Sequence, residues 1–376
     1  MAAFLIFLSA GCDKTSIPTR FSPPRASSAA SGSAPGASSS ASSASSAASS
    51  FEALDKVIPN DDSGIPDRAF YEAVLETKQQ DGKTPVDENG DGKLQTGEAR
   101  AVPYTAHWER KGIRSVQGVE YLSAVEIHLE HNKVSDLSPL VKRARTAAKS
   151  DLISVYLNGN RVTGLYSLTA PMLLLNSAGL LFDHLDLSDN EITDLSPLGL
   201  LKITGIKYLN LSHNKITGID ALSGAMFEVL DLSYNRIEKV GALHTDVIYL
   251  DLSHNRIAGV QSLSGKFLTQ LYLSDNALTD LDFLRDIPGE GTSGKGLLCL
   301  DASDNRLASL PDFKGWGWTN LSPEKQDGAY QVDFRGNRLA EKELKSKLPE
   351  AFLTAKGAEE DGAKWLKEQV GSQKTA

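Results

Sequence analysis

The pattern L-x-x-L-x-L-x-x-N-x-I/L comes round nine times between residues 122 and 339, and nothing else in the chain constrains its fold as tightly. The clearest copies run from Ile206 to Leu278, where Asn214, Asn235, Asn255 and Asn276 lie 21, 20 and 21 residues apart. Val247 to Leu263 (VIYLDLSHNRIAGVQSL) overlays position by position on Phe227 to Leu243 (FEVLDLSYNRIEKVGAL). With Asn as repeat position 9, the other copies are anchored at Asn132, Asn160, Asn190, Asn305 and Asn337. Positions 4 and 6, such as Leu230 and Leu232, alternate inward on a short strand. Positions 11, 14 and 17 (Ile237, Val240 and Leu243 in one copy) complete the apolar set. Such a unit cannot bury its face alone, so copies must stack and the two ends need caps. Each asparagine amide is expected to satisfy backbone groups at the turn leaving the strand.

Period and spelling together resemble the leucine-rich repeat. The resemblance implies an α/β solenoid, a horseshoe of about nine repeats with short parallel strands on its concave face. Outward positions 3, 5, 7 and 8 would then form the palm. Position 5 carries a column of aspartates, and positions 3 and 8 add Tyr and His. The regular central repeats place Tyr208, Tyr234, Tyr249 and Tyr272 there with Asp231, Asp251, His213 and His254. Exposed tyrosines are enriched at binding hot spots, so these eight residues are the candidate partner-binding patch. The alternative is that L-D-L-S is merely this repeat's spelling, with its Asp solvating the strand. His213 and His254 are two repeats apart, about 10 Å at strand spacing, too far to share a metal ion. No Ser or Cys nucleophile has a His placed beside it, and no catalytic residue is assigned.

Four copies are longer, with extra residues around 141–151, 169–181, 286–296 and 311–328, which leave the strands untouched. Residues 143–149 can form a helix. The third insertion contains G-x-x-x-x-G-K-G from Gly289, but Gly296 replaces the Ser/Thr of a phosphate-binding loop and no strand precedes it. A loop is the expected reading.

The net charge of −9, from 48 acidic and 39 basic side chains, argues against a nucleic-acid or polybasic membrane binder. Two cysteines, Cys12 and Cys299, cannot build a disulfide framework. Met1 to Leu8 is a short apolar stretch running into Leu8-Ser9-Ala10-Gly11-Cys12. This resembles a bacterial lipobox, which implies residues 1–11 as a signal peptide and Cys12 as the lipidated first residue of the mature chain. It lacks the basic n-region of such signals, and a chance cysteine behind an apolar N-terminus is the alternative. Residues 12–50, rich in Ser and Ala, cannot bury a core and are expected to remain disordered. They form a tether spanning roughly 35 Å r.m.s..

Residues 51–121 read as an N-terminal cap. Pro66 to Leu75 has the pattern of a helix with Pro near its start. Asp87 to Glu98 (DENGDGKLQTGE) then satisfies D-x-[DN]-x-[DN]-G-x₅-E in full. Asp87, Asn89 and Asp91 supply side-chain oxygens, Gly92 makes the turn, and Lys93 offers its carbonyl. Gln95 sits at position 9, and Glu98 closes a calcium shell at position 12. A lone loop suggests a weak structural site, and a relic turn without an ion is the alternative. Ile113 to Leu122 resembles the junction of bacterial leucine-rich-repeat proteins with a helical cap, of internalin type. Residues 340–376 read as a helical C-terminal cap, with one helix at 340–348 and another around Trp365.

The reading that follows is a membrane-anchored, non-enzymatic cell-envelope protein whose concave surface binds a protein or glycan, with Ca²⁺ in its cap. It is expected to be a monomer. An intracellular regulatory scaffold is the alternative, because repeats of this length also resemble the leucine-rich regulator of type 1 phosphatases.

Overall fold

The computed structural model describes residues 55–146, 153–169, 182–199, 206–265, 267–287, 296–313, 325–326, 329–348 and 359–374. Residues 1–54, with Cys12 and the segments expected to be a signal peptide and a tether, lie outside these residues. So do the G-x-x-x-x-G-K segment and most of the four insertions.

Strands β3 (Thr105–His107), β4 (Glu126–His128), β5 (Ile153–Tyr156), β6 (Phe182–Asp186) and β7 (Ile206–Asn210) lie side by side in chain order. The same sheet continues through β8 (Val229–Asp231), β10 (Tyr249–Asp251), β12 (Gln270–Tyr272), β13 (Cys299–Asp301) and β16 (Val332–Asp333). All neighbours are parallel and in repeat register, for example Leu209↔Leu230 and Leu230↔Leu250. The fold is therefore an α/β solenoid, as the repeat implies. Positions 4, 6 and 11 are buried in every central copy (Leu230, Leu232 and Ile237 are all 0% exposed) and merge into one core running from cap to cap.

The asparagine ladder is fully made. Asn235 donates through Nδ2 to the carbonyls of Leu211, Leu232 and Ser233, and its Oδ1 accepts from Ile216 N–H. Each such residue bridges its own strand exit to the preceding repeat, pairing a buried backbone N–H and giving second hydrogen bonds to carbonyls, which binds neighbouring copies together.

The convex side follows repeat length. The 28 residues from Asn132 to Asn160 include helix α3 (Ser138–Thr146), which covers the first four positions of the helix expected at 143–149. Its Arg143 is buried and donates to the carbonyls of Ala124 and Ser123. The short central copies have no room for a helix. They carry instead a second parallel pair, β9 (Lys239–His244) with β11 (Gly259–Ser264), which the repeat pattern did not suggest.

The N-terminal cap opens with a two-residue strand, β1 (Val57–Ile58), and helix α1 (Arg68–Glu76), which starts two residues after Pro66 because Asp67 caps it by accepting from Phe70 N–H. The C-terminal cap comprises α6 (Glu341–Lys347) and α7 (Glu359–Gly371), and Trp365 is fully buried.

Candidate functional site

The expected patch divides into two lines of side chains. Parallel register places position 3 of successive strands in one row: Tyr208, Val229, Tyr249, Gln270 and Cys299. Strands about 4.8 Å apart bring such neighbours into contact, and Tyr208, Val229, Tyr249, Tyr272 and Cys299 form a buried cluster separate from the main core. Tyr208, Tyr249 and Tyr272 are each 2% exposed or less, and Asp251 is 3% exposed. An open tyrosine patch is thus not what these residues make. Burial drives the Tyr208 and Tyr249 hydroxyls far above their ordinary pKa, with Glu228 adding to the first and Asp251 to the second.

The position-5 carboxylates have a local task as well. Asp186, Asp231, Asp251 and Asp301 each accept, through Oδ1, from the backbone N–H two residues on, at Ser188, Ser233, Ser253 and Ser303. Asn210 does the same for Ser212. This is an Asx-type turn that ends the strand. Its signal in the sequence is the D-x-S spacing, which explains why L-D-L-S recurs.

Position 8 belongs to the rim, past the strand ends, not to the palm itself. His131, Asp189, His213, Tyr234, His254, Asp275 and Asp304 all have φ between 52° and 56°, and Gly159 and Gly336 fill the same position in other copies. Apart from Tyr234, these are residue types that tolerate the left-handed region. His213, Tyr234 and His254 stack with centroids 4.2 and 4.0 Å apart, and His254 Nδ1 lies 2.8 Å from Asp275 Oδ2. Tyr234 is 47% exposed, His213 is exposed and His254 half-buried. Tyr234 lies between the two histidines, which keeps them apart.

A feature that the sequence reading missed occupies the first half of the palm. His107, His128, Tyr156, His184 and Tyr208 stack across five adjoining strands, with centroid spacings of 4.6, 4.4, 4.8 and 6.0 Å. His128, Tyr156 and His184 are half-buried, and His107 is exposed. Carboxylates flank the row. His128 lies 2.9 Å from Glu130 Oε1 and 3.3 Å from Glu126 Oε1. Burial works against the charged form of His128, but Glu130 and Glu126 outweigh it and raise its pKa. Burial dominates at His184 and lowers its pKa. Tyr156 is pushed up to about 12, by burial first and then by Glu126 and Asp186. Recurrence of ring residues at positions 3 and 5 of neighbouring copies was the available signal.

In the cap loop, Gly92 N–H donates to Asp87 Oδ2, Lys93 N–H to Asp91 Oδ1, and Asp91 N–H to Asn89 Oδ1. Gly90 and Gly92 have positive φ, so the backbone turns twice inside the loop. Strand β2 (Leu94–Gln95) pairs antiparallel with β1, and helix α2 (Thr96–Ala101) carries Glu98 back against Gln95 N–H. Helix α1 ends 11 residues before Asp87, so the loop lacks the abutting entry helix of a regular EF-hand. Asp87 Oδ1 is buried without a hydrogen-bond partner.

Cys299 is buried, 3% exposed, in the cluster with Tyr249 and Tyr272, and Cys12 lies outside the described residues.

A family model for leucine-rich repeats (2 copies) matches residues 183–224, and a single-repeat model matches 225–243. No curated protein matches the sequence. Among solved structures, an internalin (InlF) from Listeria monocytogenes is 16% identical, with 75% of this chain and 85% of that one covered at a TM-score of 0.42. Internalin C2 of the same organism is 20% identical, covering 73% and 94% at 0.42. A plant ice-binding protein is 19% identical, covering 63% and 73% at 0.41. The repeat spelling, the strand register and the repeat models matched over residues 183–243 agree on a leucine-rich-repeat solenoid fold.

Proposed function

We propose that this chain is a non-enzymatic recognition protein whose palm, at the row of stacked rings from His107 to Tyr208, binds a basic segment of a protein partner. The observation that carries this is the row itself. Four of its rings retain exposure on a rigid sheet, so little conformational entropy opposes binding, and Glu126, Glu130 and Asp186 supply opposite charge for Lys or Arg. The buried tyrosines farther along offer no comparable surface. In a capture experiment with the full chain, Tyr156→Ala with His184→Ala should release the partner by about 2 kcal/mol or more. Tyr234→Ala on the rim should leave capture unchanged. Loss with the rim variant and retention with the palm pair would move the surface to the rim.

Calcium in the cap belongs to the same reading. The donors are hard oxygens, and the buried, unpartnered Asp87 Oδ1 is what a divalent cation would satisfy. Asp87, Asn89, Asp91, the Lys93 carbonyl, Gln95 and Glu98 would hold the ion and fix β2 against β1. Millimolar calcium should raise the melting temperature, and Glu98→Gln should abolish that rise. Identical curves in calcium and in chelator would reduce the loop to a turn.

Lipid attachment at Cys12 would place the solenoid on a membrane of the cell envelope. Mass analysis of the Cys12 peptide decides: a diacylglyceryl mass supports the anchor, and an unacylated Cys12 removes it.

A further inference from the structure

Two neighbouring strands carry the same short motif in register. His107-Trp108-Glu109 leaves β3, and His128-Leu129-Glu130 leaves β4, with His107 paired to His128. The ladder continues beyond the strands, since Trp108 N–H donates to His128 O and Arg110 N–H to Glu130 O. Trp108 and Leu129 point into the core, fully buried, which sends the two histidines and two glutamates out together at the open end of the palm.

We infer that His107, Glu109 and His128 form a site for a divalent first-row transition-metal ion of the zinc type. One ligand atom from each of the three lies within 4.8 Å of the others. Zinc bonds of 2.0–2.2 Å at tetrahedral angles put donors about 3.4 Å apart. Closing that gap takes rotation of the exposed His107 side chain (62%), out of its stack on His128, and of the half-exposed Glu109 (34%). Glu130 is placed behind the site. Its Oε1 lies 2.9 Å from His128 Nδ1, the carboxylate–histidine arrangement that fixes a metal-binding imidazole. Its Oε2 is buried with no hydrogen-bond partner, a cost that nearby positive charge offsets. Two imidazoles with one carboxylate select zinc, nickel or copper over calcium, which takes six or more oxygens. The bound ion ties the last strand of the cap to the first strand of the repeats. This site is separate from the calcium loop and shares His107 and His128 with the first end of the stacked row, so its test reads metal binding rather than partner capture.

The test is calorimetric titration of the chelator-stripped full chain with zinc chloride, in excess calcium chloride so that the cap loop does not compete. One equivalent should bind and raise the melting temperature. His107→Gln, a change at an exposed position, and His128→Gln should each weaken binding tenfold or more. Glu130→Gln should weaken it between about 10- and 100-fold, and Glu98→Gln in the calcium loop should leave it unchanged. Absence of zinc binding to the unaltered chain overturns the site. Equal affinity in His107→Gln, with its circular dichroism unchanged, overturns it as well.

Discussion

The asparagine at position 9 shows how one side chain fixes a repeat. Asn235 makes four hydrogen bonds, all to backbone. The carbonyls of Leu211, Leu232 and Ser233 each keep a second donor, from Asn214, Asn255 and His213, so Asn235→Ala leaves the buried Ile216 N–H as the unpaired group, at a cost of about 1–3 kcal/mol. A loss of about 2 kcal/mol is expected in denaturant unfolding; no measurable loss would mean the ladder is decorative. This role was legible because Asn recurs at a fixed position. The rim was not legible as a separate line. His, Asp and Gly at position 8 read as polar surface until φ shows why they are chosen. Tyr234 is the exception, a bulky residue at φ 55°, where a β-carbon is disfavoured by about 1–2 kcal/mol. Stacking against His213 and His254 offsets this strain. Tyr234→Asn should therefore leave the melting temperature within a few degrees of the parent, and a large drop would show that the stack outweighs the backbone cost.

At the level of strands, burial decides what a palm side chain can do, and burial is set by neighbours on the adjoining strands, one repeat away in sequence. Tyr208, Tyr249 and Tyr272 have the same outward parity as Tyr156, and the sequence pattern treats them alike. The difference arises because Val229, Cys299 and the other tyrosines crowd them in the sheet. Parity alone cannot report that. The stacked row has a pH signature of its own. His184 sits between Tyr156 and Tyr208, and burial lowers its pKa below the ordinary 6.5. A depressed folded-state value means that the unfolded chain takes up the proton first. Stability contributed by neutral His184 is thus present above pH 6.5 and is lost as pH falls through the lowered value. His184→Phe keeps a ring in the stack and removes the titration. On acidification from pH 7.5 to 5.5 the parent should lose stability relative to His184→Phe; parallel curves for the two proteins would sink this account.

Across the whole molecule, the solenoid is as stable as its ends allow, because each repeat is supported only by its neighbours. The first strand of the sheet, β3, is covered by the cap. The last, β16, would present a bare edge, which invites pairing with another chain. Helix α7 prevents that by specific contacts. Trp365 is fully buried and its Nε1 donates to Val332 O at 2.8 Å. Gln369 Oε1 accepts from Phe334 N–H and Gln373 Oε1 from Leu339 N–H, so glutamine side chains stand in for a further repeat. Lys374 N–H completes the cover on Asn337 O. The sequence suggested a helix around Trp365, but not this mimicry of the ladder, since glutamines on a polar helix carry no sign of their partners. Trp365→Ala removes the largest apolar side chain of that interface, and a buried Trp→Ala change costs about 3–5 kcal/mol. In a solenoid that loss should not spread evenly. Amide exchange should accelerate most at Leu300 to Asp301 and Val332 to Leu339 and remain near parental at Leu209 to Leu252, three to five strands inward. Uniform acceleration along the chain would instead mean that the repeats unfold as one cooperative unit, with the cap holding no special place in it.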